Sequence, residues 1–578
     1  MTTKPRLWTY LLAAQLAACT ATFGPGGPEE ESGVGWGDGD GDPDADKYSL
    51  ELDTSATDPF IEGFPPTAPV RGMARASEGL ARVEVAQSAV PTDADGSFVT
   101  EVPVAAGLQL VPIQAFDADG HVRNGHRALL SARFLPEGEV NPGAAAITVT
   151  NEILAALAGD QLDEVANLDL SDEIMQQGAI SQQGCDMQVL GANHGRPSLT
   201  LTVEAGQLVV TFVVPDLFVT FTGTCDMFLA TVNFDGDMST DVVVRTTLSA
   251  PPSETCLESF EHSYPAVTLP DFDLNIQSDD GGLMGLLVPL VGEIMTGSVS
   301  DQMAQQIAAQ ADGLIDEQAR QLGQAGLGEG QTMTFNDVEM DVGFCLTGLE
   351  STGGVLRARL GLSVSGDGGL DAPGAPVVDG DLGPVAPSSL WLDASLISQM
   401  MFSLWRGGGL AGESTGDVTT GLLGLLVPEL ADMYPSDTPV TVGIDGLLPP
   451  LVRAADPGSE GDLVIEIGDL LIDLSVDSQL LFRMSALLKL TLDLQVQDGA
   501  LTPVIVDSEA TVTVLDEPIA DVDDAFLQAA VAAQIGDQAQ SLLGDGGFAL
   551  PDMGGIALSV QDAVAEPGGR YVRMTLAQ

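Results

Sequence analysis

Five cysteines, four histidines and one Gly-x-Ser-x-Gly pentapeptide are the residues of this 578-residue chain whose types and spacing could do chemistry. Gly412-Glu413-Ser414-Thr415-Gly416 has the spacing of a nucleophile elbow, which works only on a strand-to-helix turn with histidine and acid partners. It follows Gly407-Gly408-Gly409, and His121, His126, His194 and His262 all precede it. That is the reverse of the hydrolase order, in which the histidine comes last. The pentapeptide therefore reads as a loop. No HExxH, CxxC or mixed Cys/His spacing points to a metal. Among so many carboxylates no pair stands out as catalytic. The chain carries no enzyme signature and calls for no cofactor.

Asp38, Asp40, Asp42, Asp44 and Asp46 alternate, and Glu51 stands where a calcium loop begun at Asp40 would place its last ligand. Ala45 occupies the position that needs glycine, and no helices flank the run. It reads as a solvated acidic tether, with no metal site.

Cys19 is different. Lys4 and Arg6 precede the apolar run Leu7 to Leu16, which is too short to span a bilayer and has the layout of an export signal. Leu16-Ala17-Ala18-Cys19 resembles the lipobox of bacterial lipoproteins. The resemblance implies cleavage before Cys19 and acylation of its thiol, and Thr20 in the next position implies the outer membrane. Four cysteines then remain: Cys185, Cys225, Cys256 and Cys345. An even number in an exported chain predicts two disulfides, with three pairings open. A hairpin turning near Asp235-Gly236-Asp237 favours Cys225 with Cys256.

The charge balance is 84 acidic against 20 basic residues, net -64. Such a surface repels nucleic acid and anionic headgroups, so no nucleic-acid partner is expected. Hydrophobic residues make up 44%, enough for a large core. No later stretch reads as a membrane span: Leu283–Val291 and Leu422–Val427 are short and broken by Gly285, Pro289 and Gly424.

These residues need elements to position them. Residues 1–19 are the signal, and 20–65 are an acidic flexible tether too poor in apolar residues to fold. Residues 66–136 change to short alternating runs, Val70–Ala74, Ala81–Val85, Phe98–Val104, Gln109–Phe116 and Arg127–Phe134, as in an all-β sandwich. The turns Asp95 to Phe98 and Ala115 to Gly120 resemble those of bacterial immunoglobulin-like modules, which implies a spacer or adhesive unit.

Residues 141–578 read as two copies of one plan. Each opens with an apolar helix, about Thr150 to Val165 and about Ala394 to Arg406. Strands follow, with Leu199, Leu201 and Val203 alternating in the first copy and Leu488, Leu490, Leu492, Leu494 and Val496 in the second. Each then has a longer helix, about Leu283 to Gln321 and about Val522 to Leu543.

This plan resembles the TULIP lipid-binding family of bactericidal/permeability-increasing protein and cholesteryl-ester transfer protein. Three segments carry the likeness: Asn141-Pro142-Gly143 with the strand and helix after it, Ser395 to Leu410, and Phe548 to Leu576. The resemblance implies an α+β fold, two elongated barrels of bent antiparallel sheet wrapped on long helices, behind the N-terminal β sandwich. The first barrel would span 141–350, a linker and central sheet 351–387, and the second barrel 388–578. It also implies an apolar channel for an acyl chain, without catalysis. The expected lining is Ile153, Leu154, Val291, Ile294 and Met295 in the first barrel, and Met400, Met401, Leu404, Phe526 and Leu527 in the second. The acidity disfavours lipopolysaccharide recognition by charge. A phospholipid or other acyl-chain ligand fits better. The alternative reading is a structural or adhesive surface lipoprotein without a ligand.

Overall fold

The computed structural model describes residues 50–157, 171, 179–182, 185–205, 207–227, 230–277, 288–325, 331–335, 338–424, 430–497, 500–516, 548–549 and 559–577. The signal, Cys19 and the Asp38–Asp46 run lie outside them.

The first eight strands are β1 (Leu50–Asp53), β2 (Phe60–Glu62), β3 (Thr67–Ala76), β4 (Leu80–Val85), β5 (Ser88–Val90), β6 (Ser97–Pro103), β7 (Gly107–Asp117) and β8 (Val122–Leu135). They form two sheets, ordered β1-β3-β6 and β2-β8-β7-β4-β5. Period-two alternation makes this a sandwich: Val70 and Ala74 of β3 and Phe98 and Val102 of β6 meet Val83, Val111, Ile113 and Leu129 in one core. Gly96 is required at the turn before β6, because its φ is +89° and a Cβ there would strike the Ala74 carbonyl. Two strands, β1 and β2, begin inside the segment expected to be tether.

The first half comprises β9 (Asn141–Thr150), α1 (Asn151–Leu157), β10 (Ala179–Gln182), β11 (Cys185–Asn193), β12 (Ser198–Glu204), β13 (Gln207–Met227) and β14 (Ala230–Ser249). It continues with β15 (Glu261–His262), β16 (Ala266–Thr268), β17 (Asp273–Gln277), α2 (Val288–Ala325), β18 (Gln331–Phe335), β19 (Val338–Thr352) and β20 (Val355–Gly366). The short β21 (Ala375–Val377) follows. The second half comprises β22 (Ser389–Asp393), α3 (Ala394–Arg406), β23 (Gly412–Thr419), α4 (Thr420–Leu423), α5 (Leu430–Met433), β24 (Pro439–Gly446) and β25 (Leu451–Ala454). It ends with β26 (Leu463–Val476), β27 (Gln479–Gln497), β28 (Ala500–Asp516), β29 (Phe548–Ala549), β30 (Ser559–Ala565) and β31 (Tyr571–Ala577).

Three sheets organise these halves. The central one, β18-β19-β20-β9-β22-β31-β30, takes strands from both. Its middle pair, β9 and β22, is antiparallel, with Thr148 opposite Ser389 and Ile147 opposite Leu390. Each of the two runs directly into a helix, α1 or α3, so the halves meet about a local pseudo-twofold. A second sheet belongs to the first half, with β12 and β11 both pairing β13 and β13 pairing β14. A third belongs to the second half in the same arrangement, with β25 and β24 both pairing β26 and β26 pairing β27.

A buried polar latch closes the centre. Asp393, fully buried, receives Arg570 Nε at 2.8 Å and Asn141 Nδ2 at 3.2 Å, and Arg570 also reaches Asn141 Oδ1 at 3.2 Å. Burial opposes the Arg570 charge, but Asp393 outweighs it and raises the guanidinium pKa. Burial likewise pushes the Tyr571 phenol up.

The fold class differs from expectation. The molecule is mostly β, thirty-one strands against five helices among the described residues, and not α+β. The sheets are open: none pairs its first strand with its last among the described residues. They are not barrels wrapped on long helices. Long alternating runs explain this, since β13 and β27 are 21 and 19 residues each; β13 buries its apolar face against α2, and β27 part of its own against the central sheet. Helix α2 lies along one side of the first-half sheet, packing Val299 and Met303 onto Phe221, Phe234 and Val244. The helix expected over Val522–Leu543 falls outside the described residues. Among those described, no helix is long and apolar enough to cross a membrane.

Candidate functional site

Helix α3 begins where β22 ends because Asp393 caps it, its carboxylate accepting the Ser395 amide at 2.8 Å. Most of the helix is buried, the apolar Leu396, Phe402, Leu404 and Trp405 together with the polar Ser395, Ser398, Gln399 and Ser403, while Ile397, Met400 and Met401 stay half-buried. Those three lie at i, i+3 and i+4, a single apolar stripe. The polar side is bolted down: Ser398 Oγ donates to the Val452 carbonyl at 3.1 Å and accepts the Val452 amide at 2.8 Å. Trp405 Nε1 donates to the Gly446 carbonyl at 2.5 Å.

Ile397 and Met401 of this stripe face a layer between the central sheet and the second-half sheet. On one side stand Val572, Met574 and Leu576 of β31, and on the other Val452, Leu463, Ile465, Leu490 and Leu492. Around this packed layer is a ring of apolar side chains that keep partial solvent access: Ile147, Leu390, Leu392, Ile397, Met401, Ile467 and Ile505. Apolar side chains in the middle of a filled layer between two sheets are fully buried. Half-burial of these residues gives the layer a solvent-accessible apolar edge, the candidate crevice. Along β24 the same face opens progressively: Val440 is fully buried, Val442 half-buried, and Ile444 is 41% exposed.

The expected lining residues fall in separate places. Met401 borders the crevice and touches both packed clusters, whereas Met400 packs only on the cluster of the β19–β20 pair. Leu404 is buried against Leu396 and the β19–β20 pair, among Val338, Met340 and Val364. Ile153 and Leu154 are buried with Val149, Val203 and Leu356 in the first half, joined to the crevice only through Ile147. Val291, Ile294 and Met295 are placed on α2 by its backbone, and their side chains lie outside the described residues. So do Cys19, Phe526 and Leu527. Sequence reasoning missed Ile147, Leu390, Leu392, Ile397, Ile467 and Ile505. The alternation of β22 and the i, i+3, i+4 spacing in α3 were the available signals.

Cysteine pairing corrects another expectation. A disulfide joins Cys256 to Cys345, not Cys225 to Cys256. Asp235-Gly236-Asp237 is not a turn but lies inside β14, where a Cβ on Gly236 would meet the Phe221 ring. The hairpin actually turns after Met227, which pairs with Ala230. Cys225 is thereby placed opposite Cys185 in the β11–β13 register.

Three of the histidines each meet a carboxylate, at three separate places. His121 contacts Asp117 at 2.7 Å, His262 contacts Asp316 at 2.8 Å, and His126 contacts Asp469 at 2.7 Å. Gly412–Gly416 lies in β23, with Gly412 to Thr415 paired to β24 and Gly416 in the bulge that follows, and not on a strand-to-helix turn.

No protein-family model matches the chain, and no curated protein matches it. Among solved structures, a lipopolysaccharide binding protein is similar over 77% of this chain and 99% of its own, with 13% identity and a TM-score of 0.35. P47 of Clostridium botulinum E1 is similar over 76% and 100%, with 8% identity and a TM-score of 0.24. The D00-D0 domain of intimin covers 32% of this chain and 96% of its own, at 10% identity and a TM-score of 0.13. At these scores the assignment of the site rests on the geometry above.

Proposed function

We propose that the protein holds an acyl chain, or a hydrophobic ligand of similar shape, in the crevice beside α3, and performs no chemistry on it. The observation that carries this reading is the half-buried apolar pair Ile397 and Met401, left accessible on a helix whose other faces, serines included, are buried. A chain laid along that pair also covers Leu390, Leu392 and Ile467. Each methylene removed from water contributes about 0.8 kcal/mol, so a chain of about sixteen carbons is retained through purification. The flexible thioether of Met401 adapts to chains of different length and saturation. A headgroup left in water avoids the acidic exterior. Acylation of Cys19 would fix the protein to the outer membrane, the source and sink of such ligands.

Titration of the mature protein with a fluorescent fatty acid tests the proposal. Saturable binding is expected, with Met401→Asp weakening it by about tenfold or more, because a carboxylate would be buried against the chain. A wild-type protein that neither carries extractable lipid nor takes up the probe contradicts it, and the structural or adhesive reading then replaces it.

A further inference from the structure

The N-terminal sandwich is packed onto the second half in a way that a spacer does not require. Strand β26 carries a bulge: Ile467 pairs with Leu488 and Leu470 with Ala486, so Gly468 and Asp469 together stand opposite Leu487. Asp469 adopts φ +54°. The extra residue resets the alternation, so that Leu470, Ile472 and Leu474 face inward where Asp469, Leu471 and Asp473 otherwise would. The sandwich grips the outer side of this bulge. The Leu108 amide donates to Glu466 Oε2 at 3.1 Å, and Arg453 Nε holds the other oxygen at 3.2 Å. The Leu108 side chain sits where a Cβ on Gly468 would come within 2.7 Å of it. His126 Nε2 meets Asp469 Oδ1 at 2.7 Å, and Ser485 Oγ donates to the same oxygen at 2.9 Å. Beside these, Leu448 and Leu451 pack into Ala128, Leu130 and Phe134 of the sandwich, and β21 extends its β8 edge.

Ile467 is the inward neighbour of this bulge. It is half-buried and touches the apolar clusters on both sides of the second-half interior. We infer that the N-terminal sandwich is a working part of the binding site: by clamping Gly468 and Asp469 from outside, it holds Ile467 in place as a wall of the crevice. The ligand part of this inference rests on the crevice reading, whereas the mechanical part does not. The sandwich's role is to brace the site, and its removal loosens the wall while leaving the central latch at Asp393 and Arg570 intact.

The test compares the mature full-length protein with Leu108→Glu, which sets a carboxylate against Gly468 and beside Glu466. Hydrogen exchange and fatty-acid titration are read together. Once exchange in β7 and β8 shows that the sandwich has lifted, the amides of Ile467 to Leu471 should exchange at least about tenfold faster, and probe affinity should fall severalfold. If Leu108→Glu does not fold, His126→Ala removes one contact of the clamp and should move the same amides by a smaller factor. A lifted sandwich with unchanged protection at Ile467 to Leu471 overturns the inference. A wild type that binds no probe removes the crevice reading alone, because the exchange measurement still decides whether the clamp exists.

Discussion

In β13 a bulge at Pro215 and Asp216 lies in the open, Asp216 at φ +50° giving its amide to the Asp241 carboxylate at 2.8 Å. In β26 the matching bulge at Gly468 and Asp469 lies beneath the sandwich, and Asp469 is 8% exposed. The two are topological equivalents: Val214-Pro215-Asp216-Leu217 and Ile467-Gly468-Asp469-Leu470 each sit where two preceding strands pair one long one. The loop between the two preceding strands gives an amide to each bulge, from Gly195 to the Pro215 carbonyl and from Leu447 to the Asp469 carbonyl. Only the second needs glycine, because only there does a neighbour approach so closely. Covalent bracing is divided the opposite way. Cys185, Cys225, Cys256 and Cys345 all fall in the first half, and the second has none. One plan is thus stiffened by cross-linking in one copy and by a docked domain in the other. The half with the crevice is the half that the sandwich holds.

The largest test of that difference is Asp469→Ala against Asp216→Ala. Losing Asp469 leaves buried His126 without its carboxylate and takes from Arg127 the largest of the nearby negative charges, and should cost about 3–5 kcal/mol in urea unfolding. Losing Asp216, at an exposed bulge, should cost under about 0.5 kcal/mol. Equal costs would break the comparison.

Cross-linking comes next. Cys345→Ser opens a loop of sequence separation 89 and should destabilise the first half by about 2–5 kcal/mol. Exchange in β26 should not change. Peptide mapping without reductant should recover Cys256 joined to Cys345, and Cys185 joined to Cys225, the pair that the strand register sets opposite each other.

A smaller effect, about 1–3 kcal/mol from overpacking, is expected for Gly468→Ala, read as faster exchange in both β7 and β26. Pro215→Ala should change neither. The smallest expected effect is on pH. Burial opposes the Asp469 charge, but the contacts with His126, Ser485 and Arg127 outweigh it and hold its pKa below the ordinary value. A carboxyl lowered in this way contributes stability that is fully present above the unfolded pKa of about 3.9 and is lost as pH falls through the folded one. The sandwich should therefore stay docked at pH 5 and loosen only well below pH 4. Asp469→Asn should flatten that acid limb.

Part of this was legible in the residues. The apolar spacing of Leu396, Ile397, Met400, Met401, Leu404 and Trp405 placed α3 over about Ala394 to Arg406, the bounds observed. Alternation located the sandwich strands and much of β27. The bulges were not legible: Pro215-Asp216 and Gly468-Asp469 read locally as turn chemistry, yet both lie inside continuous strands. Asp235-Gly236-Asp237 misled for the same reason, since Gly236 serves close packing on Phe221. The sandwich's docking depends on residues such as His126 and Asp469, separated by 343 positions, for which a single sequence carries no pairing signal. Within the site, hydrophobic pattern finds what can be buried but not what stays half-open. It therefore gave Leu404 and Met401 the same weight, although one is packed core and the other borders the crevice.

Photolabelling tests the central claim most directly. The mature protein is irradiated with a sixteen-carbon fatty acid bearing a diazirine near its methyl end, digested, and mapped by mass spectrometry. Adducts are expected on the peptides holding Ile397 to Met401 and Leu463 to Ile467, and unlabelled fatty acid should compete them away. Labelling that is absent, or that falls on exposed outer-face residues and resists competition, would contradict the crevice as the binding site.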